Sequence, residues 1–220
     1  MNATMEKRVA LVTGASGALG AVVLRHLEGL GFLVEEPLLP GKTRADLASE
    51  TDVAALFERI ERERGRLDVL ASIVGGFAYA ALADTDLETW ERMMRLNATT
   101  AFLCARAAAP LMRRRRWGRI INVSSAPALN RGAPGMSAYS ASKAAVMNLT
   151  ESLAKELAAD GITVNAIVPA IIDTAANRKS MPKADTSKWL KPEEIARVIG
   201  FLASEEAAIV TGSAILLGRG

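Results

Sequence analysis

The strongest constraint on the fold is an alternation that runs the length of the chain. Short apolar or β-branched runs, "RVALVT", "FLVEE", "TRADL", "LDVLASIV", "RIINVSS", "ITVNAIVP" and "SAILLG", are separated by helical periodicity at 18–30, 51–64, 88–112, 138–159 and 192–204. Several helical stretches begin after Ser, Thr, Asp or Pro, as helix starts do. Strands that are apolar throughout need cover on both faces. The pattern therefore predicts an α/β protein with a doubly wound sheet of about seven parallel strands and helices on both sides. A chain of 220 residues can bury one sizeable core. With no linker, repeat or low-complexity tract, residues 1–220 are read as a single domain.

Composition removes several function classes. Half of the residues are apolar and 23% are charged. No uninterrupted apolar stretch approaches the roughly 20 residues that cross a bilayer, so no membrane partner is expected. The start "MNATMEKRVALV" lacks an apolar targeting core with a small-residue cleavage site, and a cytoplasmic location is expected. Cys104 is the only cysteine, which excludes an intrachain disulfide and a Cys-based metal site. It sits in the small-residue run "FLCARAAAPLM" and reads as a packing residue. His26, the only histidine, has no metal-ligand neighbour in sequence, so no metal is expected. The basic run Arg113–Arg116 falls where a helix should end, where cations suit the macrodipole, and reads as a solvated helix end with no nucleic-acid partner.

Chemistry concentrates in two places. The turn "TGASGALG", Thr13–Gly20, has strand before it and helix after it. In that setting Gly14 permits a sharp turn, Gly17 a close backbone approach to a pyrophosphate and Gly20 tight packing of helix on sheet, while Ser16 adds a hydroxyl donor. Glycines at such turns also serve plain packing, so the turn by itself leaves both readings open. The second place is Ser125, at the end of the fifth strand candidate, followed by "YSASK" with Tyr139 and Lys143 four residues apart. On a helix that spacing stacks both side chains on one face. A nearby ammonium favours phenolate, so Lys143 is expected to pull the Tyr139 pKa down. Ser125 would hold a substrate oxygen while Tyr139 passes a proton to it.

With these residues the sequence resembles the short-chain dehydrogenase/reductase family, and the likeness covers essentially the whole chain. It is carried, in family order, by "TGASGALG", "RADL", "DVLASIVGG", "LNATTAF", "GRIINVSS", "YSASKAAV", "VNAIVPAIIDT" and "PEEIARVIGFLAS". The resemblance implies a Rossmann-type fold, an NAD(H) or NADP(H) cofactor and a catalytic tetrad of Asn97, Ser125, Tyr139 and Lys143. It further implies cofactor contacts from Gly14, Ser16, Gly17, Ala18, Leu19 and Gly20 in the turn and from Val74 and Gly75. Asp46 and Leu47 would border the adenine, Lys143 would also hold the nicotinamide ribose, and Pro169, Ala170, Ile172 and Thr174 would line the nicotinamide.

The sequence departs from the family pattern at four points. Ala18 replaces the middle glycine of the turn, "SIVG" at Ser72–Gly75 replaces an Asn-containing stretch that ties the sheet centre, and "VPA" replaces V-P-G at Ala170. One extra residue separates Ser125 from Tyr139, which leaves Ser124 as an alternative hydroxyl. Cofactor preference stays open: Glu35 and Glu36 fall where an acid clamps the ribose, Leu38 occupies the selectivity position, and Lys42 and Arg44 favour a 2′-phosphate.

Substrate and assembly are read from the remaining segments. "GALG", "VGG", "PGMSAY" and "NRKSMPKAD" with Trp189 resemble the dihydropteridine reductase branch of the family. Residues 174–192 are too short and polar for a steroid cover, so a small polar or heteroaromatic carbonyl is expected, gripped by Arg178 and Trp189 together with Ser125 and Tyr139. A quinonoid dihydropterin is the alternative substrate, and a dinucleotide sensor without turnover is the alternative class. The helices at 88–112 and 138–159 are apolar on more than one face, which predicts a homotetramer or at least a dimer.

Overall fold

The strands are β1 (Val9–Thr13), β2 (Leu33–Glu35), β3 (Val69–Ser72), β4 (Gly118–Val123), β5 (Ile162–Pro169) and β6 (Ala214–Leu217). In this computed structural model, which describes residues 7–41, 44–129 and 132–219, all six join one parallel sheet in the order β2-β1-β3-β4-β5-β6. The sheet has one strand fewer than the sequence pattern suggests, because "TRADL" is not a strand in its described part, Arg44–Leu47. There the Ala45 N–H goes to the Pro37 carbonyl (2.8 Å) and the Asp46 N–H to the Asp52 carboxylate (2.9 Å), so loop partners take the donors a ladder would need. Ala45 and Leu47 are nevertheless buried around an exposed Asp46, the alternation that mimicked a strand.

The helices are α1 (Ala18–Gly29), α2 (Glu50–Arg64), α3 (Leu87–Met93), α4 (Thr100–Arg115), α5 (Ala126–Leu129), α6 (Ser137–Leu157), α7 (Ala175–Ser180) and α8 (Pro192–Leu202). Ser49 and Asp86 cap α2 and α3 by accepting the N–H groups of Asp52 (3.4 Å) and Thr89 (2.8 Å). Within the stretch read as one helix at 88–112, Met94–Thr99 is π-helical. Thr100 supports that bulge by donating its hydroxyl to the carbonyls of Leu96 (2.8 Å) and Asn97 (3.3 Å).

Successive strand residues supply opposite cores, as the period of two requires. Val9, Leu11, Leu70, Ile120 and Val164 pack with α2 and α4 on one face. Ala10, Val12, Val69, Ala71, Ile121 and Ile167 pack with α1 and α8 on the other. Cys104 lies in the first core, where burial pushes its thiol up to about 12, consistent with a packing role. The basic run is spent locally: Arg113 pairs with Asp160 (2.7 Å), Arg114 pairs with Glu61, and Arg116 closes α4 at φ 50° and donates to the Ala159 carbonyl (2.9 Å). Among the described residues no helix is long and apolar enough to cross a membrane.

Strand order reverses beside β1, since β2 lies on one side of it and β3 on the other. The carboxyl ends of β1 and β3 therefore flank a crevice of the kind that receives ligands in open α/β sheets.

Candidate active site

The crevice is built by the glycine turn. Gly14 stands at φ +69°, and a Cβ on it would lie 3.0 Å from the Val74 nitrogen. Thr13 fastens the opposite lip: its Oγ1 accepts the N–H groups of Ile73 (2.9 Å) and Val74 (3.1 Å). This supplies the tie across the sheet centre that the missing Asn of "SIVG" put in doubt. The Gly17 N–H donates to the Gly14 carbonyl (2.9 Å), and a Cβ on Gly20 would collide with that same carbonyl oxygen. Gly20 thus lets the first turn of α1 sit on the loop itself; the expected contact of helix on sheet is not what requires it. Among the described residues no side chain caps α1, and its first turn holds no acid, which suits its amide groups to an anion.

A cavity of about 640 Å³ opens from this turn. Gly14, Ser16, Gly17, Ala18, Leu19, Gly20, Asp46, Leu47, Val74, Gly75, Tyr139, Lys143, Ile172 and Thr174 all line it; Pro169 and Ala170 do not. Its size and its glycine cradle beneath an uncapped helix fit an extended dinucleotide. At the β2 exit, Glu35 is buried and turned to α2, where it pairs with Arg59 (2.9 Å) and Arg64 (2.6 Å). It is therefore unavailable to a ribose. Glu36, Leu38 and Arg44 line the wall, whereas Lys42 lies outside the described residues.

Helix α6 presents Tyr139 and Lys143 to this cavity one turn apart. The Lys143 Nζ donates to the Val123 carbonyl (2.8 Å), and burial pulls the amine down to about 8. Ser124 is committed, since its Oγ donates to the Lys143 carbonyl (3.0 Å). The Ser125 Oγ is buried and has no hydrogen-bond partner among the described residues, so of the two candidate serines its hydroxyl is the one at liberty. The Tyr139 pKa is raised by burial, an effect that the neighbouring Ser125 hydroxyl opposes. This corrects the expectation that Lys143 lowers it: the dominant influence on the phenol is desolvation, and the lysine's own charge is disfavoured by the same burial.

Asn97 projects from the π-helical bulge, 2% exposed. Its Oδ1 accepts the Gly76 N–H (3.0 Å) while its Nδ2 donates to the Gly76 carbonyl (3.1 Å) and to the Ser142 Oγ (2.9 Å). The Ser142 hydroxyl in turn donates to the Tyr139 carbonyl (2.7 Å). Asn97 thereby connects the segment after β3 to the helix that carries Tyr139.

The two substrate residues suggested by the sequence lie elsewhere. Arg178 forms a bidentate ion pair with Asp173 (2.6 and 2.7 Å), and Trp189 is 5% exposed; neither lines the cavity. Three residues at the site escaped sequence reasoning: Thr13, Ser142 and Phe77. The first two are small polar residues inside longer motifs, with nothing in their type to mark them. Phe77, an aromatic directly after the pair Gly75–Gly76, was a visible signal that went unused.

The family model described as Enoyl-(Acyl carrier protein) reductase matches residues 33–220. The chain is 35% identical over 242 residues to the 3-oxoacyl-[acyl-carrier-protein] reductase FabG of Thermotoga maritima, with 98% of each chain covered. It is 34% identical over 236 residues to the acetoacetyl-CoA reductase of Shinella zoogloeoides, covering 97% of this chain and 98% of the relative. Among solved structures it resembles YwfH, an NADPH dependent reductase involved in bacilysin biosynthesis, with a TM-score of 0.87, 25% identity, and coverage of 96% and 97% of the two chains.

Proposed function

The chain belongs to the short-chain dehydrogenase/reductase family and is an NAD(P)-dependent oxidoreductase; from that premise we propose that it interconverts a small carbonyl compound and the corresponding alcohol, with Tyr139 as the general acid/base. The observation that carries this reading is the buried, unpartnered Ser125 hydroxyl beside the Tyr139 phenol, with Lys143 one helical turn away. A Ser125 hydroxyl at liberty next to the Tyr139 phenol suits a substrate oxygen that accepts from both.

In the reducing direction the Tyr139 hydroxyl donates its proton to the substrate oxygen, and the Ser125 hydroxyl donates a hydrogen bond to the same atom. Burial keeps the phenol protonated at neutral pH, which suits it to donate. Charge develops on the phenolic oxygen as the proton leaves, and the ammonium of Lys143 on the same helix face stabilises it. When bound, the dinucleotide supplies or accepts hydride at its nicotinamide ring. The cradle of Gly14, Gly17 and Gly20 holds the pyrophosphate, and Asp46 and Leu47 border the adenine. Val74, Gly75, Ile172 and Thr174 shape the nicotinamide end. Asn97 acts by holding Gly76 and, through Ser142, the Tyr139 turn of α6. A sensor without turnover has no use for this proton donor.

Self-association into a homotetramer, or at least a dimer, belongs to the same proposal. Phe102 on α4 is 44% exposed, an apolar ring on a helix face turned away from the sheet core.

The test compares the wild type with Tyr139→Phe. The wild type oxidises NADH or NADPH with a small ketone as acceptor. The variant should lose at least about a hundredfold in kcat while its cofactor dissociation constant stays within about twofold. Undiminished turnover in the variant would refute the role of the phenol.

A further inference from the structure

Arg178 and Trp189, the loop residues expected to read the substrate, are off the cavity wall, and a different side chain stands at the reacting end. Phe77 lines the cavity, with its ring centroid 4.9 Å from that of Tyr139 and the two rings nearly perpendicular at 74°. It is 59% exposed. Exposure of a single apolar residue is ordinary on a protein surface; the placement of this one is not.

The main chain is fastened on both sides of Phe77. At Gly76 the two hydrogen bonds exchanged with Asn97 fix the backbone, and a Cβ there would meet Leu96 at 2.8 Å and Met93 at 3.1 Å. At Ala80 the N–H donates to the Gly135 carbonyl (2.9 Å), just ahead of α6. Gly135 also receives the Tyr79 ring, which lies 2.7 Å from where its Cβ would be. The segment carrying Phe77 is thus held against both the Asn97 bulge and the entrance to the catalytic helix. An aromatic ring held in place this way, open to the cavity and touching the proton donor, offers a ready apolar surface to whatever is attached to the reacting carbon.

Resting on the oxidoreductase reading above, we infer that Phe77 is the specificity-determining residue of the site and selects carbonyl compounds that bear a flat, apolar substituent, such as an aryl or conjugated acyl group, on the reacting carbon. The carbonyl oxygen sits with Ser125 and Tyr139, and the substituent packs on the Phe77 ring. Offset or edge contacts between the two π-systems discriminate a planar group from a short alkyl one.

The experiment uses two probes that differ only in that substituent, ethyl benzoylacetate and ethyl acetoacetate. Each is titrated by calorimetry into the protein saturated with the oxidised cofactor, for the wild type, Phe77→Ala and Phe77→Tyr. The wild type should bind the aryl ketone more tightly. Phe77→Ala should cut the aryl-over-alkyl preference by about three- to tenfold, and Phe77→Tyr should retain it. An unchanged oxidised-cofactor dissociation constant shows that the site still stands. The inference is overturned if the wild type has no aryl preference or if Phe77→Ala preserves it. Turnover of both ketones with reduced cofactor is followed in parallel, where Phe77→Ala should raise KM for the aryl ketone more than it lowers kcat. Absence of turnover in the wild type would sink the carbonyl–alcohol proposal, and the binding ratio would still decide the role of Phe77.

Discussion

The side chain of Asn97 closes a two-bond ring on the backbone of Gly76, accepting its N–H and donating to its carbonyl at 3.0 and 3.1 Å. An aspartate at this position loses the donor and an alanine loses both partners. Each leaves buried polar groups unpaired, which costs about 1–3 kcal/mol per group. We expect Asn97→Ala to lower the unfolding free energy by about 2–4 kcal/mol in urea denaturation and to reduce kcat/KM at least tenfold. Retention of both would show that the bulge does not position the site.

The amine of Lys143, held down to about 8, sets a pH limit. Its folded-state value lies below the ordinary 10.5, so the unfolded chain binds the extra proton between those two values, and stability contributed by this group rises with pH across that window. Below about 8 the burial penalty is fully present. Lys143→Met should therefore raise stability at pH 7 by on the order of 1–3 kcal/mol, after allowance for the lost bond to Val123, while abolishing turnover. Thermal melts of the two proteins at pH 7 decide the sign, and a lower Tm for the variant contradicts the account.

The same amine should appear in the kinetics. In the reducing direction the Tyr139 phenol stays protonated well into the alkaline range, because burial raises its pKa. The first group lost as pH rises is the Lys143 ammonium, so kcat/KM for ketone reduction should fall above about 8. A profile flat from pH 7 to 10 would exclude that role.

Cofactor choice is expected to turn on the wall residues Glu36 and Arg44, since Glu35 is occupied by Arg59 and Arg64. Arg44→Gln should weaken NADPH binding by about three- to tenfold and leave NADH within twofold, and Glu36→Gln should move the two in the opposite sense. Fluorescence titration of both cofactors against both variants measures this. Equal effects on NADH and NADPH would show that neither residue reads the 2′ position.

Light scattering at micromolar concentration should give a mass of at least two chains, and Phe102→Glu should lower it by placing a charge on the α4 face. A monomeric wild type ends the assembly proposal.

The sequence yielded the fold where burial and period coincide. β1, β3, β4 and β5 are almost wholly buried and mainly apolar, and the glycine turn and "YSASK" bring their partners with them through local geometry alone. "TRADL" misled because two buried side chains around an exposed one look alike in a strand and in a loop. Spacing to Tyr139 leaves Ser124 open and only the gapless run of "GRIINVSS" favours Ser125; why Ser124 is committed depends on the Lys143 carbonyl, which no spacing reveals. The sign of the Tyr139 shift was equally out of reach, because adjacency along a helix says nothing about how dry the site is. Arg178 and Trp189 have the right chemistry for a ligand, but Asp173 pairs with the first and the second is buried away from the cavity.

The bonds from Ile73 and Val74 to the Thr13 hydroxyl bear on the thermodynamics of loading. They set the distance between the two lips of the crevice through bonds made wholly within the protein. A ligand that finds its binding-competent shape already dominant forfeits no affinity to a population shift. Association should therefore proceed without a preceding closure step, with little conformational entropy lost by the main chain. The free energy gained at the phosphates is then expressed almost entirely as occupancy, and the loaded and empty chains should share one backbone across β1 and β3.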